Sequence, residues 1–132
     1  MRRATVTVKR YEDHRGHARV TELLDSWHKG ELVAVELVPF HDEYGYSGYD
    51  LFVDGEKIGS IEKESRTVEH SSAGNRYVNS RYETKARYWS IRVPGHRDYG
   101  LNYDTRKVAV AKAVEAHDSE ARRAAKRDTP QP

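Results

Sequence analysis

Between positions 76 and 93 the chain reads RYVNSRYETKARYWSIRV, with five cations, three tyrosines and one tryptophan against a single acid, Glu83. Guanidinium and ammonium groups neutralise phosphate and aromatic rings stack on bases, so these side chains have the chemistry a polynucleotide needs. In a strand, alternate residues stand about 7 Å apart, a spacing suited to following a phosphate backbone. The strand period puts Tyr77, Asn79, Arg81, Glu83, Lys85 and Arg87 on one face, and Val78, Ser80, Tyr82, Thr84, Ala86 and Tyr88 on the other. Beyond Tyr88 the apolar parity passes to Trp89, Ile91 and Val93, which predicts a bulge at Tyr88-Trp89. A plainer reading competes: a solvent-facing sheet surface is polar in any case, and Glu62, Glu64 and Glu69 of the preceding run could neutralise the row.

Other chemistries are weaker. Asp13, His14 and His17 in DHRGH offer a His-x-x-His spacing, but a polar loop with no third ligand in reach does not make a metal site. Glu83 with Arg81, Lys85, Arg87 and either His70 or His96 has the residue types of a metal-independent ribonuclease, a base and an acid among cations. No spacing forces those groups together. YGYSGYDLF has neither the lysine nor the helix of a phosphate-binding loop, and the absence of cysteine excludes disulfides, thiolate nucleophiles and zinc-thiolate sites. No catalytic residue, metal or cofactor is assigned.

The elements that must position the basic run read as follows. ATVTVKRY alternates and predicts a strand. ARVTELLDSWHKG places Val20, Leu23, Leu24 and Trp27 at the spacing of one helix face, with Gly30 as its C-terminal glycine, so a core helix is expected over 18–29. ELVAVELVPF predicts a buried strand ending at Pro39. Asp54-Gly55 separates two β-prone runs and marks a hairpin. A second turn at SSAGN leads into the basic strand. YDTRKVAVAKAVEAH predicts a helix capped by Asp104 or Thr105, with Ala109, Val110, Ala113 and Val114 inward. The result is an α+β fold of order β-α-β-β-β-β-α, one domain over 1–126 with a frayed tail at 127–132, its antiparallel sheet covered by the C-terminal helix.

Composition sets limits on this fold. Leu, Ile, Val and Phe together number only 24 of 132 residues, so tyrosine rings are expected to fill the core, and a homodimer would bury further aromatic area. Charge is unevenly placed. Residues 31–65 hold nine acids and two cations, net −7, whereas residues 66–97 hold seven cations and two acids, net +5. The acidic part must face away from phosphate or meet another partner. No apolar run is long enough to span a membrane and no apolar signal segment follows the N-terminus, which points to the cytoplasm.

A meander followed by a helix opening DTRKVAVAKAVEA resembles the sheet-plus-helix DNA-binding domain of phage-type integrases. It is also similar to the second half of double-stranded-RNA-binding domains, with Arg106, Lys107 and Ala111 at the matching helix start. DGEKIGSIEK together with YDTRKVAVAKAV resembles small proteins of actinobacteria and their phages, which implies an origin and no activity. Both nucleic-acid resemblances cover residues 48–117. The expectation is a non-catalytic nucleic-acid-binding protein. Arg76, Arg81, Lys85, Arg87 and Arg92 would contact phosphate, Tyr77 or Trp89 would stack, and Arg106 and Lys107 would assist. The competing expectation is an accessory or inhibitor protein that binds a host protein through the acidic region or exposed tyrosines.

Overall fold

A computed structural model describes residues 2–41, 43–45, 47–71, 81–97 and 102–128, without the side chains of 66–71, 81–86 and 128. Six strands form one antiparallel sheet: β1 (Ala4–Glu12), β2 (Ala18–Thr21), β3 (Gly30–His41), β4 (Ser47–Val53), β5 (Glu56–Ser71) and β6 (Arg81–Arg92). Their spatial order is β2-β1-β3-β4-β5-β6, and a single helix, α1 (Arg106–Asp128), follows. The fold is α+β. No described helix is long and apolar enough to cross a membrane.

The core lies between one sheet face and α1. Val6, Val8, Val33, Val35, Leu37, Leu51, Ile61 and Ile91 point to this face, and Ala109, Val110, Ala113 and Val114 meet them from the helix. Val and Ala dominate because α1 lies close over the sheet and small side chains allow that approach. Among the described residues Tyr49 is the one tyrosine in the buried cluster, so the expected tyrosine-filled core is corrected: branched aliphatics and alanine suffice. The strand over 30–41 is also not buried on both sides. It alternates, with Leu32, Ala34 and Glu36 exposed, because α1 covers only one face. Pro39 sits within β3 beyond its last partner on β1, where β4 alone flanks the strand and the missing N–H is tolerated.

The turns follow local chemistry. Asp54 and Gly55 both take positive φ, 52° and 79°, the two-residue turn whose twist suits a hairpin. Asp13 organises the β1–β2 turn by accepting the Arg15 and His17 amides, each at 2.9 Å. No cluster of three ligating groups occurs among the described residues. At α1, Thr105 rather than Asp104 is the N-cap, its Oγ1 accepting the Val108 amide at 3.3 Å. The helix runs on to Asp128, past the expected frayed start at 127, while 129–132 lie outside the described residues.

The helix expected over 18–29 is absent. Residues 18–21 pair with Glu12–Lys9 as β2, and 22–29 cross over β1 to reach β3. The apolar spacing was helical, but β1 would otherwise be an open edge, and the hairpin that Asp13 closes supplies its partner. Long-range pairing outweighs local periodicity here. Gly30 has a different reason as well: a Cβ there would run into the Arg10 carbonyl, so glycine is what lets the crossing rejoin the sheet.

Candidate nucleic-acid interface

β4 pairs with β5 only as far as Lys63, opposite Ser47. Beyond that point residues 64–71 and 81–88 pair with each other alone, so the last hairpin leaves the sheet as a two-stranded ribbon. Eight residues per strand carry it roughly 25 Å. The β5–β6 ladder runs unbroken from Ser60↔Arg92 to Ser71↔Arg81. The bulge expected at Tyr88-Trp89 does not occur. Arg87 and Trp89 therefore share parity with Ile91 on the helix side of the sheet, and Tyr88 belongs to the opposite face.

The register answers what stands across from the basic row. Arg87 lies opposite Ser65, Lys85 opposite Thr67 and Arg81 opposite Ser71. Glu64 and Glu62 lie opposite Tyr88 and Ser90 instead, and Glu69 meets Glu83. The row is thus interrupted once by an acidic pair, but no cation in it is matched directly by a carboxylate. The side chains of Arg81 and Lys85 lie outside the described residues, as do Arg76 and Tyr77 altogether.

At the root of the ribbon the geometry is well defined. Tyr49 and Trp89 stack with ring centroids 6.0 Å apart, and the Arg106 guanidinium lies 5.5 Å over the Tyr49 ring. Arg106 Nη1 also donates to Tyr49 Oη at 3.4 Å. Backbone bonds between Trp89 and Tyr103, 2.8 and 2.9 Å, stitch the residues before α1 to the outer edge of β6. They place Arg106 and Lys107 beside the strand. The first turn of α1 contains no acid, although the positive end of the helix dipole favours one. Two cations stand there at a local cost. Around them Lys63, Ser65, Arg87 and Lys107 are exposed. Among the described residues none of Lys63, Arg87, Arg106 and Lys107 forms an ion pair, whereas Arg10, Arg19, Lys57, Arg92 and Arg123 do.

Two expected members do not join this group as imagined. Arg92 lies on the opposite face and meets Glu62 at 3.6 Å, so one of the suspected acids does neutralise one of the candidate cations. Trp89 is half-buried between β6 and Tyr49, a brace for Arg106 more than a free stacking surface. Lys63 was missed by sequence reasoning. Its parity with Trp89, its partner across the ladder, becomes legible only once the register is known. The ribonuclease constellation is not assembled with His96, which caps a turn after Val93; roughly ten strand residues, about 33 Å, separate it from Glu83. His70 is paired with Tyr82, one step from the Glu69↔Glu83 pair. No protein-family model matches the chain, and no curated protein or solved structure matches it either.

Proposed function

We propose that the protein binds duplex nucleic acid, with the β5–β6 ribbon entering a groove and the helix start gripping the flanking backbone. The observation that carries this reading is the register: hydroxyl-bearing Ser65, Thr67 and Ser71, not carboxylates, stand across from Arg87, Lys85 and Arg81. A two-stranded antiparallel ribbon fits the major groove of B-form DNA, while the deep, narrow major groove of A-form RNA does not admit one. Duplex DNA is accordingly the preferred ligand. Lys63, Arg87, Arg106 and Lys107 supply phosphate contacts at the ribbon root, where the dipole of α1 adds to their field. The binding is non-catalytic and mostly electrostatic, so it weakens steeply as salt rises.

Fluorescence anisotropy against duplex DNA, duplex RNA and single strands tests the reading. Arg81→Glu combined with Arg87→Glu is expected to abolish duplex DNA binding while leaving the thermal unfolding midpoint in place. Each phosphate contact removed lowers the salt slope by about 0.9. Unchanged affinity in that folded double variant would refute the assignment, and preference for single strands would refute the groove-binding geometry.

A further inference from the structure

The crossing from β2 to β3 passes over β1 on the face away from α1, and Lys9 lies beneath it. Lys9 is only 5% exposed. Its ammonium donates to the carbonyls of Leu24, Ser26 and His28 at 3.3, 3.0 and 2.8 Å, one for each of its three N–H groups. With alternate carbonyls drawn inward, the loop turns its apolar side chains out: Trp27 is 86% exposed, Leu23 55% and Leu24 45%. Leu32, directly across the ladder from Lys9, is 60% exposed. Trp27 is not loose. Its ring lies 4.0 Å from His28, which stacks on Tyr11 at 4.2 Å. A clasped loop therefore holds a tryptophan and three leucines in water, a large apolar display with its ordering cost already met.

Charge selects the occupant. Glu22, Asp25 and Glu36 belong to this loop and to the exposed β3 column; even with Lys9 included the local balance is two negative charges. Lys29 does not offset them, because it lines the cleft on the helix side with Glu31 and Asp118. A polyanion is disfavoured at such a surface, and a second copy would set like charge against like. We infer that the Trp27 loop and the Leu32 column form a docking surface for a partner protein segment that combines apolar side chains with Lys or Arg. The tryptophan acts as the anchor and the acids as the rim. This surface lies at the opposite edge of the sheet from the ribbon, so it stands or falls independently of nucleic-acid binding.

The test uses the whole protein and two fluorescein-labelled 14-residue amphipathic peptides of one pattern, one of Leu and Lys, the other of Leu and Glu. Anisotropy is expected to show saturable binding of the Leu/Lys peptide alone. Trp27→Ala should weaken it at least tenfold, and Asp25→Lys with Glu36→Lys should do the same with the tryptophan still present. These positions are exposed, and an unchanged urea midpoint checks that the variants fold. Equal binding of both peptides, binding of neither, or variants that bind like the parent would overturn the inference. Sedimentation velocity and duplex DNA binding complete it. A dimer that dissociates on Trp27→Ala would assign the surface to a second copy, and loss of DNA affinity in that variant would assign it to nucleic acid; either result overturns it.

Discussion

The two ends of the sheet handle positive charge in opposite ways. At the β1–β2 edge two arginines are matched: Arg10 makes a two-pronged contact with Asp118, both bonds 2.9 Å, and Arg19 reaches Asp13 and Glu115. Glu115 also accepts the Val20 amide at 3.1 Å, which closes part of an otherwise open sheet edge. Lys9 is enclosed by carbonyls. At the β5–β6 edge, Lys63, Arg87, Arg106 and Lys107 have no carboxylate partner among the described residues. The difference teaches what each set is for. The matched cations fasten the middle of α1 to the sheet. The unmatched ones contribute little to folding through ion pairs, and on the proposed reading their field serves the nucleic acid.

This contrast can be broken from either side. Lys9→Met should cost the most stability, about 2–4 kcal/mol, because it leaves the enclosed carbonyls of the crossing without donors. Urea denaturation reads the loss, and amide exchange should show 22–29 opening first. A change below about 1 kcal/mol would mean that the clasp is solvated. Asp118→Ala should cost about 1–2 kcal/mol by freeing Arg10, with duplex DNA affinity unchanged. Thr105→Ala should cost about 1 kcal/mol through loss of the N-cap. It should also weaken DNA binding modestly, because the cap sets the start of α1 where Arg106 and Lys107 stand. Lys63→Glu should leave stability within about 0.5 kcal/mol and reduce DNA affinity severalfold, the reverse pattern from Asp118→Ala. A stability loss with unaltered binding would erase the distinction between the two edges.

The smallest effect concerns pH. Hydrogen bonds from the His17 and Arg15 amides, with Arg19 beside them, hold the Asp13 carboxyl below its ordinary value of 3.8. A carboxylate whose value is depressed in the folded state stabilises fully above the unfolded value and loses that contribution as pH falls through the folded one. The β1–β2 turn should therefore persist at neutral pH and loosen only below 3.8. An NMR titration of the Arg15 and His17 amides should give a midpoint under that value, and a midpoint at or above it would contradict the hydrogen-bonded turn.

Much of the architecture is legible from local chemistry. Asp54-Gly55 carries its own turn, the 4–12 alternation its own strand, and Thr105 with the small inward residues of 109–114 its own helix. Each depends on residues within a few positions of one another, so the sequence alone determined them. The 18–29 segment was misread because its apolar period is satisfied equally by a helix face and by a loop turned outward; the requirement of β1 for a partner decided between them. The same holds for the basic ribbon. Which residue faces Arg87 depends on where β5 and β6 come into register, and a slip of two positions would have set Glu69 against Lys85 or Arg81. Composition and turn chemistry announced a basic hairpin and a covering helix. Only the folded chain decided that Lys63, Arg87, Arg106 and Lys107 have no ion pair among the described residues while Arg10 and Arg19 are spent on the fold, because pairing across a sheet is set by residues distant in sequence.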